Sequence, residues 1–240
     1  MLSEDYLVEQ LNAPTKQERL MAITGLKKLM DDGFLEKPVK GEDINNHIHT
    51  TYSFSPYSPS KAVWRAYTAG LCTAGIMDHD SIGGAEEFIE AGKIVGLPTT
   101  IGMEMRVDFS QTPINGRRIN NPDQDSIAYM AIHGIPHTQI ERAAQFMQES
   151  RDKRNMRNTR MVEGINNRFG GDGLELDFEL DVKPLSLSHL GGSVTERHLL
   201  YALAKKMCGR FGRGQGIIDY LTDNMGINVS DSLKGYLLDV

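Results

Sequence analysis

The 240-residue chain is poor in the residue types that mark several specialised classes of protein. Its two cysteines, Cys72 and Cys208, are far apart and match no metal-binding spacing, so we expect reduced thiols in a cytoplasmic protein. No apolar run approaches the roughly 20 residues of a membrane span. The N-terminus is too polar and acidic for a secretory signal peptide. The composition therefore predicts a globular chain with its own hydrophobic core and no membrane partner.

Positive charge is also in the minority, with 26 Lys and Arg residues against 32 Asp and Glu residues. The net charge of -6 argues against a large nucleic-acid-binding surface, because phosphate backbones require clustered positive charge. It does not exclude a small phosphorylated substrate, since bound divalent cations reverse the local sign inside an acidic protein. The oligomeric state is left open.

Residues 1–41 are predicted to form a helical extension. A helix is expected from Thr15 to Asp32, because Thr15 and Glu18 have the spacing of a capping box and Gly33 follows as a stop. The segment contains no histidine, and its role is open between packing and partner binding.

Residues 42–137 alternate between strand-like and helix-like segments. Helices are expected to begin after Ser58 and at Ser81. Such alternation predicts an α/β unit with a parallel or mixed sheet, whose strand ends are candidate ligand-binding positions. Strands are predicted at residues 44–50, 74–78, 99–109 and 128–133.

Residues 138–225 are predicted to form a helical block inserted in or appended to the α/β unit. Its first helix, 138–168, carries seven Arg or Lys residues and four Asp or Glu residues. This charge indicates either a solvated face or a basic wall that faces a phosphorylated substrate. An acidic linker at 172–181 and a helix at 195–207 follow, and 226–240 is expected to begin the return to the α/β unit.

The strand-like segments each supply a metal-type side chain. His47 and His49 are two residues apart and should project from one face of a strand. Glu104 lies within the third strand, and a carboxylate there could bridge two ions. Imidazole together with carboxylate suits Zn, Mn or Fe. The other two strands supply the Asp78-His79-Asp80 sequence and His133.

These segments, HIHTTYS, IMDHDS, IGMEM and AIHG, together resemble the ordered motifs of the PHP (polymerase and histidinol phosphatase) family. The resemblance implies a distorted (β/α)7 barrel that holds two or three divalent ions and hydrolyses phosphate esters. Asp78 is implied either as a further ligand or as a catalytic positioning residue, with the second role preferred. His137 and His189 are expected to be ordinary histidines. The implied ligands are His47, His49, His79, Glu104 and His133.

The segment GGSVTERHLLYAL resembles the helical insertion of the family branch that acts on nucleotides and short oligonucleotides. The resemblance implies that His198 points toward the substrate as a catalytic and substrate-binding residue. The alternative is a solvated histidine in the first turn of a capped helix. Arg197 is a candidate phosphate ligand, although the family's arginine is expected one position earlier, where Glu196 stands.

Two departures from the family pattern lead us to expect an incomplete site. Ser53 is followed by Phe54, where the family usually continues with a metal ligand or proton donor. No histidine occurs at residues 199–240, where the family's last barrel strands carry His-Pro and Asp-x-His motifs. We therefore expect the chain to be the N-terminal part of a longer protein, or else a shortened member. Weak or partial metal binding and little turnover by the chain alone are also expected.

Three functions remain open from the sequence. The favoured one is hydrolysis of a phosphomonoester or small phosphodiester, with nucleotides as the preferred substrate class. The second is a catalytically impaired metal-binding or regulatory module. The third is hydrolysis of C–N bonds, as in amidohydrolase barrels. It is disfavoured because those enzymes commonly use a carbamylated lysine, whereas no lysine occurs at residues 94–152.

Overall fold

The structure is a computed structural model that describes residues 3–239. The chain forms two compact units. The first runs to Lys153 and also includes Ser186–Val194. The second comprises Arg154–Leu185 and continues from Thr195. These units group the chain differently from the four predicted segments, whose boundaries stay predictions.

The first unit begins with two helices and continues with alternating strands and helices. The predicted capping box is confirmed: the Thr15 hydroxyl accepts from the Glu18 N–H, and the Glu18 carboxylate accepts from the Thr15 N–H. The elements are α1 (Glu4–Gln10), α2 (Lys16–Asp31), β1 (Ile44–Ile48), α3 (Pro59–Thr68), β2 (Thr73–His79), α4 (Ala85–Val95), β3 (Thr99–Asp108) and β4 (Ile127–His133).

The four strands form one curled, mixed sheet in the order β1-β2-β3-β4. The first three strands are parallel, because a helix connects each of them to the next. β4 pairs antiparallel to β3, since residues 109–126 join them without a helix. The α/β class and the mixed sheet are thereby confirmed, and a seven-fold barrel stays a prediction.

α4 begins four residues later than predicted. The Ser81 hydroxyl donates to the Gly191 carbonyl at 2.8 Å and accepts from the Gly83 N–H at 3.1 Å. These bonds hold residues 81–84 in a turn, so the helix begins only at Ala85.

The core of the first unit includes the N-terminal helices. Leu11, Ile23 and Leu26 from this region are fully buried together with Ile76 of β2 and Phe88 of α4. Helices α1 and α2 therefore pack against the α/β unit. Packing is thus one role of the N-terminal extension.

The second unit is helical. The segment predicted as an acidic linker is folded instead, because Leu174, Leu176 and Phe178 alternate with its acidic residues and are buried. The long helix α5 (Ile140–Phe169) starts in the first unit and continues into the second. The other helices are α6 (Glu196–Phe211), α7 (Gln215–Asp219) and α8 (Asp231–Leu238), with wide helical turns at Phe178–Val182 and Tyr220–Asn224.

Across residues 3–239, every helix is too short or too polar to cross a membrane.

A buried ion pair joins α2 to α4. Nε and Nη2 of Arg19 lie 2.8 and 2.5 Å from the two carboxylate oxygens of Glu87. Ser60 of α3 donates its backbone N–H and its hydroxyl to the same carboxylate. The Arg19 and Glu87 side chains are only 7% and 2% exposed. The pair therefore ties three helices together behind the sheet.

We predict that Arg19→Ala lowers the free energy of unfolding by about 3 kcal/mol or more, because it leaves the Glu87 carboxylate buried without its cation. Chemical denaturation of both proteins measures the difference. Lys16→Ala is the control. It removes an exposed lysine that pairs with Glu90 at 2.8 Å and should cost less than about 1 kcal/mol. Equal losses in the two variants would contradict a special role for the buried pair.

Candidate metal centre

Three imidazoles surround one carboxylate oxygen at the edge of the sheet. Oε2 of Glu104 lies 3.1 Å from Nε2 of His47, 3.6 Å from Nε2 of His49 and 3.5 Å from Nδ1 of His79. The ligand atoms of His47, His49 and Glu104 all lie within 4.8 Å of one another. Four of the predicted metal ligands are therefore brought together.

The strand register explains this convergence. His79 on β2 pairs directly with Glu104 on β3, so their side chains lie side by side on one face of the sheet. The β1–β2 register shifts between Asn45 and Ile48. The rings of His47 and His49 are 5.0 Å apart, and those of His49 and His79 stack at 4.6 Å.

His133, the fifth predicted ligand, lies on the neighbouring strand β4. It is the last residue of β4 and pairs with Gly102, two residues before Glu104 on β3. Because successive residues of a strand alternate between the two faces, His133 shares the face of the sheet on which Glu104 lies. The His133 side chain is exposed. Its role as a metal ligand stays a prediction.

Asp78 lies behind the cluster and organises the chain after β1. Its carboxylate accepts from the Thr50 N–H, the Thr50 hydroxyl and the Ser53 hydroxyl, each at 2.6 Å. Burial raises the pKa of Asp78, while the hydrogen bonds from Ser53 and Thr50 favour its ionised form. Asp78 therefore contacts the residues next to His49, an arrangement suited to a positioning residue. The serine of the HIHTTYS motif is one of its donors.

Of three further residues near the site, Asp80 was part of the Asp78-His79-Asp80 segment, whereas Arg106 and Tyr129 were not singled out from the sequence. Asp80 is buried and has a left-handed φ of 45°, a conformation that is uncommon outside glycine and is found disproportionately at functional sites. Tyr129 of β4 lies with its ring 6.1 Å from His79, and the Arg106 guanidinium lies 5.6 Å from the same ring. A period-two pattern could have placed Arg106 on the face of Glu104, but the pairing with β4 needed the structure.

The remaining predicted site residues, His198 and Arg197, lie on α6 in the second unit. His198 is 2% exposed and accepts from the Thr195 N–H through Nδ1 at 2.9 Å. It therefore caps the helix from a buried position, and the alternative of a solvated histidine is wrong. Burial lowers the pKa of His198 to about 4. Arg197 is exposed. The roles of both residues toward a substrate stay predictions.

Glu196, which stands where the family's arginine was expected, pairs with two arginines of α5. Its carboxylate lies 3.4 Å from Nη1 of Arg154 and also contacts Arg157. Burial raises the pKa of Glu196, but its backbone hydrogen bond and these two charges outweigh burial and hold the pKa below its usual value. Part of the predicted basic wall is thus neutralised within the second unit.

Comparison of the sequence with known proteins gives short local similarities. No protein-family profile matches the chain. A 5'-3' exoribonuclease of Haemophilus influenzae is 36% identical over 63 residues, which are 26% of this chain and 23% of that protein. An error-prone DNA polymerase of Cutibacterium acnes is 36% identical over 72 residues, 29% of this chain and 6% of the polymerase. The matches thus span less than a quarter of the length of these relatives.

Comparison of the structure gives broader similarities. A proposed metal-dependent phosphoesterase of Bifidobacterium adolescentis has a TM-score of 0.52 at 23% identity, covering 82% of this chain and 58% of that one. The chain has a PHP-like fold. An amidohydrolase of Chromobacterium violaceum, solved with sulfate and without metal, has a TM-score of 0.50 at 18% identity. It covers 68% of this chain, which spans 49% of that structure. Both solved structures are therefore considerably longer than the region that they share with this chain.

We predict that Glu104→Gln and His47→Ala each weaken Zn²⁺ binding by more than about 100-fold, since even residues that only support ligands typically account for 10–100-fold. Competition with a chromophoric chelator measures the affinity. His137→Ala, which removes an exposed histidine outside the cluster, is the control and should leave the affinity unchanged. Unchanged affinity in Glu104→Gln would exclude this cluster as the metal site.

We predict that His198 makes the chain less stable in mild acid. A histidine whose pKa is about 4 when folded and near 6.5 when unfolded contributes stability that is fully present above pH 6.5 and is lost as the pH falls toward 4. The loss is at most roughly 3 kcal/mol. In His198→Gln, the amide oxygen can still accept from the Thr195 N–H but cannot titrate.

The measurement is urea denaturation of both proteins in EDTA at pH 7.5 and pH 5. The wild-type chain should lose more stability between these values than His198→Gln does. Parallel losses would show that His198 does not carry this pH dependence.

Proposed function

We propose that the chain hydrolyses small phosphate esters at a divalent metal centre held by His47, His49, His79 and Glu104. The observation that carries the proposal is the convergence of three imidazoles on one Glu104 oxygen. These histidines are not ordinary core residues, because their three side chains are about one third to one half exposed. A cluster of this kind opens toward solvent, where a substrate can reach it.

The donor set fits the proposed ions. Imidazole nitrogens with one carboxylate match the preferences of Zn, Mn and Fe. When bound, such ions supply Lewis acidity and a water of lowered pKa for attack on phosphorus. The identity and number of the ions are part of the proposal.

The chain's own residues would position the reacting groups. Glu104 is the most buried member of the cluster, with 15% of its side chain exposed, and it orients the three imidazoles around its Oε2 atom. Asp78 restrains the Thr50–Ser53 turn and thereby the backbone that carries His49. Arg106, which follows Glu104 on the same face of β3, offers a guanidinium at the rim for a phosphate oxygen.

Nucleotides are the proposed substrate class. The local similarity to a 5'-3' exoribonuclease supports this choice, as does the GGSVTERHLLYAL resemblance. Arg197 and His198, in the second unit, stay proposed substrate-binding residues. His198 would act there as a neutral imidazole, because its Nδ1 accepts from the Thr195 N–H and its pKa is low.

A second candidate is a metal-binding module with impaired turnover. It is supported by the position of His133, which is exposed and pairs with Gly102 rather than with Glu104. In that case the four remaining side chains would bind metal without completing a catalytic site.

The test is hydrolysis by the purified chain after metal removal and reloading with Mn²⁺ or Zn²⁺. The substrates are p-nitrophenyl phosphate, bis-p-nitrophenyl phosphate, AMP and a short 5'-phosphorylated oligonucleotide. We expect metal-dependent turnover of at least one ester, and we expect Glu104→Gln to lower it by more than about 100-fold, because a metal-activated water is lost.

His137→Ala serves as the matched control and should retain the wild-type rate. Metal binding without turnover of any of these esters would favour the impaired module. Turnover that survives Glu104→Gln would place the activity elsewhere.

A further inference from the structure

A groove of about 540 Å³ lies within the second unit, formed entirely by its own residues. One wall is a stripe of α6, with residues spaced three and four apart so that they share one helix face. The opposite wall comes from the Phe178–Val182 turn and the residues after it. The α6 stripe consists of Ala202, Lys205, Lys206, Gly209 and Arg210.

The α6 stripe is open at Gly209, which lies between Lys205 and Arg210 and has no side chain. A Cβ atom added at Gly209 would meet no atom within 4 Å. The stripe therefore borders a cleft with cations on its rim.

The opposite wall is largely apolar. Leu180, Pro184 and Leu185 line it, and Leu180 is 79% exposed. Asp181 is the acidic residue of the lining, and it pairs with Lys206 at 3.0 Å. Lys205 and Arg210 thus give the groove a positive excess in a chain of net charge -6.

We propose that this groove binds a nucleoside monophosphate, at a site separate from the metal centre. Its volume lies within the roughly 300–1,000 Å³ of small-molecule sites. A base would lie against the apolar wall of Leu180 and Leu185. The phosphate would be bound by Lys205 and Arg210, since ammonium and guanidinium groups both bind phosphate oxygens. The proposal does not rest on the proposed hydrolase activity.

The test is calorimetric titration of the whole chain with AMP in EDTA, which excludes binding through metal ions. We expect saturable binding of one AMP per chain. Adenosine should bind more weakly because it lacks the phosphate, and inorganic phosphate should bind more weakly because it lacks the base. The double variant Lys205→Glu/Arg210→Glu should weaken AMP binding by at least about tenfold, through repulsion of the phosphate.

Gly209→Leu provides an independent variant that tests the cavity. It fills the open space and replaces a helix-disfavouring residue with a helix-favouring one, so the fold should be retained while AMP binding is lost. The matched control is Arg160→Glu/Lys234→Glu. It makes the same change in net charge in the second unit outside the groove and should bind AMP as the wild type does.

Four outcomes would overturn the proposal: no saturable AMP binding, an equal loss in the control double variant, equal affinity for inorganic phosphate, or binding of an acidic peptide but not of AMP. Glu104→Gln should bind AMP normally in EDTA. Retained AMP binding in a variant that has lost metal affinity would separate this groove from the metal centre, whichever way the hydrolysis assay turns out.

Discussion

The candidate metal centre depends on the close approach of three imidazoles to the Glu104 carboxylate. Each neutral imidazole carries one N–H and one lone pair, so a ring here can either donate to the Glu104 carboxylate or present its lone pair to a cation. The parallel pairing of β2 with β3 places His79 beside Glu104, and the irregular register of β1 brings His47 and His49 to the same oxygen. The backbone thus fixes an arrangement that favours a bound cation.

Two buried polar networks support this arrangement from behind. Asp78 accepts three hydrogen bonds from Thr50 and Ser53, so the turn after β1 is restrained where it leaves His49. Farther from the site, the pair between Arg19 and Glu87 joins helices that cover the sheet. Buried charges of this kind are costly unless fully paired, and both networks are extensively hydrogen-bonded. Such supports hold functional side chains more precisely than exposed loops do.

The second unit has a different physical character. Several of its charges are paired internally, as in the contacts of Glu196 with Arg154 and of Asp181 with Lys206. His198 is buried as a helix cap and is neutral at physiological pH. On α6, by contrast, Gly209 leaves open space, and Lys205 and Arg210 line a groove whose opposite wall is largely apolar.

The sequence by itself determined the local elements and most of the candidate metal centre. The capping box at Thr15, the strand positions and the period-two spacing of His47 and His49 all depend on neighbouring residues, which a linear pattern records. The order of the motifs was enough to predict the PHP-like fold and to group His79 and Glu104 with them.

Only the tertiary structure decided the direction of β4, which places His133 beside Gly102, and the burial of His198. It also decided that Tyr129 lies near His79 and that Ser53 contacts Asp78. These features depend on strand pairing and packing between residues distant in sequence. Local spacing and propensity do not encode which strand pairs with which, or in which direction. These contacts were therefore set by the fold as a whole.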